Sequence, residues 1–212
     1  MQYNNPNTWN DKWAIEHIFK GSKNGFFVEV GALDGIRGSS TYLLEKDFDW
    51  KGILVEPDSD VFERLASNRP NSKCLDCCLY DKNGEIDFVQ FKAKGWSGIA
   101  ENWPKTRRVR PETDEHKIIK KQTLTLEKLL ETSEAPSIID YLALDIERSE
   151  FKILKNFPFN SYKFKAISLE SYVDSKKLLQ DNGYIQVANP FCEVYHEGYF
   201  IHEDYIQINY NL

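Results

Sequence analysis

Acidic side chains recur where apolar stretches of this 212-residue chain end. Carboxylates gathered in one cleft can bind a cationic ligand, hold a divalent metal ion or take up a proton. Parallel strands present their carboxyl ends at one edge of a sheet, so these acids converge if the apolar stretches are parallel strands. The acids concerned are Glu29, Asp34, Glu56, Asp76, Asp145, Glu147 and Glu170.

The first of these regions, "VEVGALDGIRGSS", carries glycines at positions 31, 35 and 38 between a strand-like segment and a helix-like segment. A dinucleotide site has the pattern G-x-G-x-x-G and places a pyrophosphate at the helix N-terminus. Here Glu29 and Asp34 flank the turn, and their negative charges would repel a pyrophosphate but attract an ammonium or a sulfonium group. S-adenosylmethionine carries both cations, so the turn favours this cofactor.

Further residues are predicted to complete a cofactor site. Glu56 follows the second apolar stretch, where a carboxylate can accept hydrogen bonds from both hydroxyls of a ribose. Asp76 and the adjoining backbone N–H of Cys77 can offer one acceptor and one donor to an adenine edge. Taken singly, each acid also suits a solvated loop position or a helix cap. The predicted cofactor-binding residues are Glu29, Gly31, Ala32, Asp34, Gly35, Ser40, Glu56, Pro57, Asp76, Cys77 and Asp145.

The elements that must hold these residues alternate between strand and helix along most of the chain. This alternation predicts an α/β fold in which helices cover both faces of a mainly parallel sheet. Residues 92–122 show no clear period and are predicted to form a lid or substrate loop. Strands are predicted at 26–30, 52–57, 73–79, 85–91, 138–147, 165–169, 184–190 and 197–202. Helices are predicted at 8–20, 41–46, 58–68, 149–156 and 175–181, and residues 123–131 are predicted as a short strand that passes into a capped helix.

The composition is that of a packed globular protein, with 41% hydrophobic and 28% charged residues. The length suits a single domain over residues 1–212, and excision of this domain from a larger polypeptide is left open. A net charge of −6 argues against a general binder of nucleic acid or of acidic membranes. No apolar run approaches the roughly 20 residues of a membrane span, and no signal peptide is recognised, so a cytoplasmic location is expected.

Five segments, in this order, resemble the FkbM family of S-adenosylmethionine-dependent methyltransferases: "NDKWAIEHIF", "GFFVEVGALDGIRGSSTYLLE", "WKGILVEPDSDVFERL", "DYLALDIERSEFKIL" and "AISLE". The similarity extends from about residue 10 to about residue 205. It implies a class I methyltransferase (Rossmann-like) fold with strand order 3-2-1-4-5-7-6. It also implies methyl transfer to a hydroxyl group, often of a sugar such as rhamnose. The chain departs from the family pattern at Ser40, where members usually carry Asn, and at Arg148, where Gly is common.

A hydroxyl is a poor nucleophile, so a general base or a metal ion that lowers its pKa is expected. Asp145 and Glu170 can share either task, with Glu147 nearby, because carboxylate oxygens suit Mg²⁺ or another divalent metal ion. These acids can instead cap the helices that follow them or bind hydroxyls directly. His196 is the histidine predicted as a base, although a lone histidine also suits a plain loop residue.

Four residues are predicted to bind a carbohydrate acceptor, because aromatic faces stack on sugar rings and polar groups bind hydroxyls. Core packing is the alternative for the aromatic ones. Basic residues between positions 105 and 121 are interpreted as a solvated, charged loop rather than a grip on an anionic acceptor, since acids interrupt them. The predicted acceptor-binding residues are Trp13, Trp96, Ser97 and Arg148.

The sequence therefore predicts an O-methyltransferase that uses S-adenosylmethionine and acts on a sugar hydroxyl of a glycan or glycosylated metabolite. Three other functions are compatible with it. The acceptor can be a non-sugar small molecule, the chain can be a non-catalytic interaction module that keeps the cofactor fold, or it can be a nucleotide-dependent oxidoreductase. Carbohydrate is the expected partner, and neither nucleic acid nor membrane insertion is expected.

Overall fold

The computed structural model describes residues 1–92, 95, 97–102, 115–146, 149–192 and 196–209 of the chain. Its strands are β1 (Phe26–Val30), β2 (Lys51–Val55), β3 (Lys73–Leu75), β4 (Cys78–Leu79), β5 (Gly84–Phe91), β6 (Gly98–Ile99), β7 (His116–Leu124), β8 (Ile138–Leu144), β9 (Lys163–Glu170), β10 (Tyr184–Val187) and β11 (Glu197–His202). Its α-helices are α1 (Asn10–Lys12), α2 (Tyr42–Phe48), α3 (Ser59–Asn68), α4 (Leu126–Thr132), α5 (Glu150–Leu154), α6 (Val173–Asp181) and α7 (Glu203–Asn209). A π-helix, Trp13–Ile18, continues α1, and a short 3₁₀ turn spans Ala100–Asn102.

Seven of the strands form one sheet, in the order β10-β11-β9-β8-β1-β2-β3. The pairs among β3, β2, β1, β8 and β9 are all parallel, whereas β11 runs antiparallel to both of its neighbours. Counted within this sheet alone, the strand order is 3-2-1-4-5-7-6. The prediction of an α/β fold with this order is confirmed, and the carboxyl ends of five parallel strands lie at one edge.

Helices cover both faces of this sheet because the central strands are apolar on both sides. In β1, Val28 and Val30 pack into a cluster with residues of α4, α5 and α6. Phe27, on the opposite face, packs with residues of the π-helix, α2, α3 and α7. Successive side chains of a strand alternate between faces, so Glu29 must share the face of Phe27. Within the described ranges, every helix is too short or too polar to cross a lipid bilayer.

A second, four-stranded sheet in the order β4-β7-β5-β6 lies beside the first. It corrects two predictions. Residues 73–79, predicted as one strand, divide into β3 in the main sheet and β4 in the second sheet. The predicted lid at 92–122 is not irregular throughout, because residues 116–123 of β7 pair antiparallel with β5. Only two of the nine β7 residues are buried, so burial imposes little alternation that a sequence pattern could show. Residues 93, 94, 96 and 103–114 of the predicted lid lie outside the described residues.

Candidate active site

The glycine turn after β1 brings the ends of two neighbouring strands into close contact. Gly31 donates a backbone hydrogen bond to the carbonyl oxygen of Val55 (3.0 Å), and its φ is +83°. A Cβ atom at this position would lie 1.9 Å from the carbonyl oxygen of Asp145, which follows β8. Only a residue without a side chain permits this approach. The turn therefore places the backbone of Gly31 against Asp145.

Glu29, which precedes the turn, fixes the start of the next helix. Its carboxylate is 4% exposed and accepts hydrogen bonds from Ser39 Oγ (2.8 Å) and Ser40 N (2.7 Å). The guanidinium of Arg69 lies 3.8 Å from the same carboxylate. These contacts direct Glu29 toward the back of the turn, and it lines neither of the two cavities described below. Its role toward a cofactor ammonium stays a prediction.

Arg69, at the end of α3, is a fully buried cation that supports the turn from behind. It pairs with Glu45 of α2 (2.9 Å) and donates to the carbonyl oxygen of Gly35 (3.0 Å). Gly35 has a φ of +77°, and a Cβ atom there would meet the Arg69 side chain at 2.7 Å. Buried ionic groups are tolerated when their donors and acceptors are satisfied, and here the network fixes the shape of the turn.

The first cavity opens in front of the turn and holds about 700 Å³ of empty space, part of it open to solvent. Its wall combines apolar side chains with the acid that follows β2. The residues that line it include Gly31, Glu56, Pro57, Asp58, Cys77 and Asp145.

Glu56 is the main acidic group of the first cavity. It is 4% exposed, and its two carboxylate oxygens accept hydrogen bonds from Leu33 N (2.9 Å) and Asp58 N (2.7 Å). Burial raises the pKa of Glu56 to about 7, although both backbone hydrogen bonds act to lower it. Each carboxylate oxygen has a second lone pair, so Glu56 can still accept hydrogen bonds from a ligand.

Asp76 does not face this cavity, whereas its neighbour Cys77 does. The carboxylate of Asp76 pairs with Lys121, which also donates to Ser59 Oγ (2.7 Å). Recognition of adenine by Asp76 therefore stays a prediction, and its carboxylate is engaged in an ion pair. Asp58 lines the cavity instead and accepts a hydrogen bond from Ser97 Oγ (2.9 Å). Asp58 was not among the predicted site residues. It forms the N-cap of α3, a structural role that an acid before a helix commonly has.

A second, wider cavity holds about 1,940 Å³ of empty space, including open solvent. Four residues line both cavities, so the two open onto each other. They are Gly31, Leu33, Gly95 and Asp145. Side chains at the ends of β8, β9 and β11 line the second cavity together with the N-terminal segment, residues 4–8. The predicted residues Ala32, Asp34, Glu170 and His196 line it as well. We call this second cavity the wide cleft.

Carboxylates meet in the wide cleft at the ends of three strands. Asp145 and Glu170 share a hydrogen bond. The pKa of Asp145 is raised, first by its removal from bulk water and second by the negative charge of Glu170. Two carboxyl groups can share a hydrogen bond only if one of them carries a proton. The pair is therefore able to hold a proton at the floor of the cleft.

Glu197 is a third acid of this cluster, and the sequence reasoning missed it. It is 7% exposed, lies directly opposite Glu170 in the β9–β11 register and accepts a hydrogen bond from the Asn10 side chain. Burial, followed by the charges of Asp145 and Glu170, raises the pKa of Glu197 to about 8. Glu197 begins its strand, and β11 is antiparallel, so its first residue lies at the edge where the parallel strands end. The direction of this strand was the signal that could have revealed it.

The remaining predicted site residues are placed as follows. Trp13 is not at a cavity mouth: it is fully buried between Tyr141 and Tyr199, with ring centroids 6.2 Å and 4.9 Å away, which corrects its prediction as an acceptor-binding residue. Ser97 lines the first cavity, and His196 is exposed in the wide cleft. Glu147, Trp96 and Arg148 lie outside the described residues.

Among the described residues, no group of three or more His, Cys, Asp or Glu side chains is arranged to hold a metal ion. Asp145 and Glu170 contact each other directly, and two carboxylates with open positions suit Mg²⁺, which keeps several water ligands. A metal ion at this pair stays a prediction.

Glu150, the first residue of α5, lies near this acidic cluster and should make the free energy of unfolding depend on pH. It is 1% exposed and accepts a hydrogen bond from Ile146 N (3.3 Å). Burial raises the pKa of Glu150 from 4.5 to about 8, and the charges of Glu170 and Asp145 add to the increase. Between pH 4.5 and about pH 8, Glu150 is protonated in the folded chain and ionised in the unfolded chain. Stability should therefore fall as the pH rises through this window, by up to about 1.4 kcal/mol per pH unit from this group.

The variant Glu150→Gln keeps an oxygen for the Ile146 N–H but cannot ionise. We expect it to flatten the decline in the free energy of unfolding between about pH 5 and pH 8, measured by urea denaturation. The slope that remains should come from the other buried acids with a raised pKa, which include Glu56, Asp145 and Glu197. Glu127→Gln, on the exposed face of α4, is the matched control. An equal slope in the Glu150 variant and the wild type would contradict a protonated Glu150.

The cavities fit S-adenosylmethionine. Glu56 can bind ribose hydroxyls, and the apolar wall beside Cys77 and Pro57 suits an adenine ring. Gly31 has no side chain and lines both cavities, so its backbone is open to the amino acid part of the cofactor. Asp145 also lines both cavities and therefore lies where they join. A negative group at this junction favours the ammonium and sulfonium cations.

Comparison with known proteins identifies the domain. Residues 29–207 match the methyltransferase FkbM domain. A search of the curated proteins finds no significant match. Similar solved structures include a METTL16 MTase domain (13% identity, 92% of this chain and 65% of that chain, TM-score 0.45). They also include a TehB-like SAM-dependent methyltransferase from Corynebacterium glutamicum (7% identity, 92% and 88%, TM-score 0.47) and the human methyltransferase 10 domain containing protein (11% identity, 92% and 79%, TM-score 0.45).

The domain match covers most of the chain, and the strand order of the main sheet agrees with it. The family and the fold imply S-adenosylmethionine as the cofactor and methyl transfer as the activity. With a cavity at the carboxyl edge of the sheet and the matched domain around it, this chain belongs to the FkbM family of methyltransferases.

Proposed function

We propose that this protein is an O-methyltransferase that methylates a carbohydrate hydroxyl in the wide cleft. The observation that carries the proposal is the junction of the two cavities at Gly31 and Asp145. A cofactor in the first cavity and an acceptor in the second would meet there. Proximity and orientation of two bound reactants account for a large part of enzymatic rate acceleration.

In the proposed arrangement, Glu56 binds the ribose hydroxyls of the cofactor, and the backbone at Gly31 and Ala32 borders its amino acid part. When bound, S-adenosylmethionine supplies an electrophilic methyl group on a sulfonium. Asp145 supplies negative charge beside this cation, and Asp34 does so from the wide cleft. Asp34 Oδ1 also accepts hydrogen bonds from Ile36 N and Arg37 N, which holds the turn in shape.

Asp145 and Glu170 accept the proton that leaves the acceptor hydroxyl. Their shared hydrogen bond supports this role, and Glu197 lies beside them with a raised pKa. A base whose pKa lies near the working pH is the most effective proton acceptor. The same two carboxylates can serve as oxygen ligands for Mg²⁺, which would lower the pKa of the hydroxyl instead.

Uncharged polar side chains support a carbohydrate acceptor. Asn4, Asn5, Asn7 and Thr8 line the wide cleft, and amides and hydroxyls can both donate and accept hydrogen bonds with sugar hydroxyls. Trp96 and Arg148 remain proposed acceptor contacts. The net charge of −6 is in keeping with a cytoplasmic enzyme that acts neither on nucleic acid nor on membranes.

Thermal unfolding with added ligands tests the cofactor assignment. At about 100 times its dissociation constant, S-adenosylhomocysteine should add about 2.7 kcal/mol to the free energy of unfolding. NAD⁺ at the same concentration is the control and should add nothing. Stabilisation by NAD⁺ alone would overturn the proposed function, and the variant Glu56→Gln should weaken the response to S-adenosylhomocysteine.

A further inference from the structure

Two arginines line the wide cleft away from the cluster of Asp145, Glu170 and Glu197. Arg37 follows the glycine turn, and its backbone N donates to Asp34 Oδ1 (2.9 Å), which fixes the position of this residue. Arg64 lies on α3 one turn after Val61, and both residues face the cleft. The side chains of Arg37 and Arg64 are exposed. Two separate elements thus bring guanidinium groups to one cavity.

Neither arginine forms an ion pair with any residue in the part of the chain that the structure describes. Arg69, by contrast, is fully paired with acids. A guanidinium group carries five N–H donors and no acceptor, and it binds phosphate or carboxylate oxygens in a bidentate manner. In a protein with a net charge of −6, a pair of arginines beside a cavity, without an ion-pair partner among the described residues, points to an anionic ligand.

The strand order separates these arginines from the acidic cluster. Asp145, Glu170 and Glu197 lie at the ends of β8, β9 and β11, on one side of β1. Arg37 follows β1 and Arg64 belongs to the helix after β2, on the other side. An anionic group would be repelled at the acidic side and attracted at the arginine side. A ligand with an anion at one end would therefore direct its other end toward Asp145.

The N-terminal segment adds a further hydrogen-bond donor to this side. The carbonyl oxygen of Asn4 accepts a hydrogen bond from Gly38 N (3.0 Å), which places Asn4 beside the residue that follows Arg37. Asn4 Nδ2 is buried and has no hydrogen-bond partner in the described ranges. Buried donors are normally satisfied, so this wall lacks an acceptor atom. Residues 1–28 precede the matched domain, so Asn4 lies outside the part that defines the family.

We propose that the methyl acceptor carries an anionic group, either a phosphate or a carboxylate, and that Arg37 and Arg64 bind it. This proposal rests on the proposed function, because it places the anion at the end of the wide cleft opposite the reacting hydroxyl. The substrate class is then an acidic carbohydrate, such as a sugar phosphate or a uronic acid. Arg37 and Arg64 select the acceptor and orient it, and they take no part in the proton transfer.

Isothermal titration of the full chain, saturated with S-adenosylhomocysteine, tests this proposal. The probes are inorganic phosphate, glucose 6-phosphate, glucuronate and neutral glucose. We expect glucose 6-phosphate or glucuronate to bind about tenfold more tightly than glucose, and the comparison of the two distinguishes phosphate from carboxylate. The double variant Arg37→Gln with Arg64→Gln should lose about this tenfold preference. Added salt should weaken anion binding in the wild type only.

Lys176→Gln, on the exposed surface of α6, removes a positive charge far from the arginines in sequence and should leave the preference intact. Equal binding of glucose and the anionic probes, or an unchanged preference in the double variant, would overturn the proposal. A large loss of S-adenosylhomocysteine affinity in Arg37→Gln would also overturn it, by assigning this arginine to the cofactor. If S-adenosylhomocysteine fails to bind the wild type, the proposed function itself fails, which is a distinguishable result.

Discussion

The variant Glu170→Gln is expected to lower the turnover number by about 10²–10⁴-fold. Glutamine keeps the shape of the side chain but cannot take up a proton. Glu170 lines the wide cleft and not the first cavity, so the affinity for S-adenosylhomocysteine should change little. The measurement is the rate of labelled methyl transfer to the acceptor, once mass spectrometry of a methylated glycan panel has identified one. Asp145 is a less selective target because it lines both cavities.

Glu127→Gln removes one exposed negative charge and should retain full turnover. Survival of turnover in the Glu170 variant would reject a catalytic role for this carboxylate. Chelation followed by readdition of Mg²⁺ separates the two proposed roles. A wild-type enzyme that loses and regains turnover uses Glu170 as a metal ligand, and one that is indifferent to chelation uses it as a base.

The variant Gly31→Ala should lower the free energy of unfolding by about 2–5 kcal/mol and prevent cofactor binding. Two effects add at this position. The backbone has a φ of +83°, which is unfavourable for alanine, and the new Cβ would lie 1.9 Å from the carbonyl oxygen of Asp145. Because Gly31 and Asp145 border both cavities, any shift that relieves the overlap also displaces the site. Urea denaturation and titration with S-adenosylhomocysteine measure the two losses.

Gly38→Ala is the matched control, since Gly38 has a φ of +74° but no atom within 4 Å of the added Cβ. It should lose only about 1–2 kcal/mol, the penalty of the left-handed conformation. Equal stability of the two variants would show that the contact between Gly31 and Asp145 does not constrain the turn. Retained cofactor binding in Gly31→Ala would show that the turn does not border the cofactor.

Much of the main sheet could be predicted because its strands are buried and apolar. In the sequence, strands such as β1 and β8 are mostly hydrophobic segments that acids follow. The glycines indicate the turn between β1 and α2. Most of the strand β7 could not be recognised, because only two of its nine residues are buried and they give no clear alternating pattern. It is held by backbone pairing with β5, which side-chain types do not report.

The candidate site shows the same division. Glu56 and Asp145 could be placed because each follows a parallel strand, so position in the chain determines position in the sheet. Glu197 could not, because it precedes an antiparallel strand. The burial of Trp13 could not be predicted either, because a helix that packs on the sheet and a helix that borders a cleft have the same amphipathic pattern.

The buried pairing of Arg69 with Glu45 restrains the glycine turn that borders both cavities. Separating two buried charges is far more costly than breaking a single hydrogen bond, so the turn should not swing outward as a gate. The first cavity is partly open to solvent and joins the wide cleft, so product can leave without movement of the turn. The rate of product dissociation should therefore not be limited by the turn.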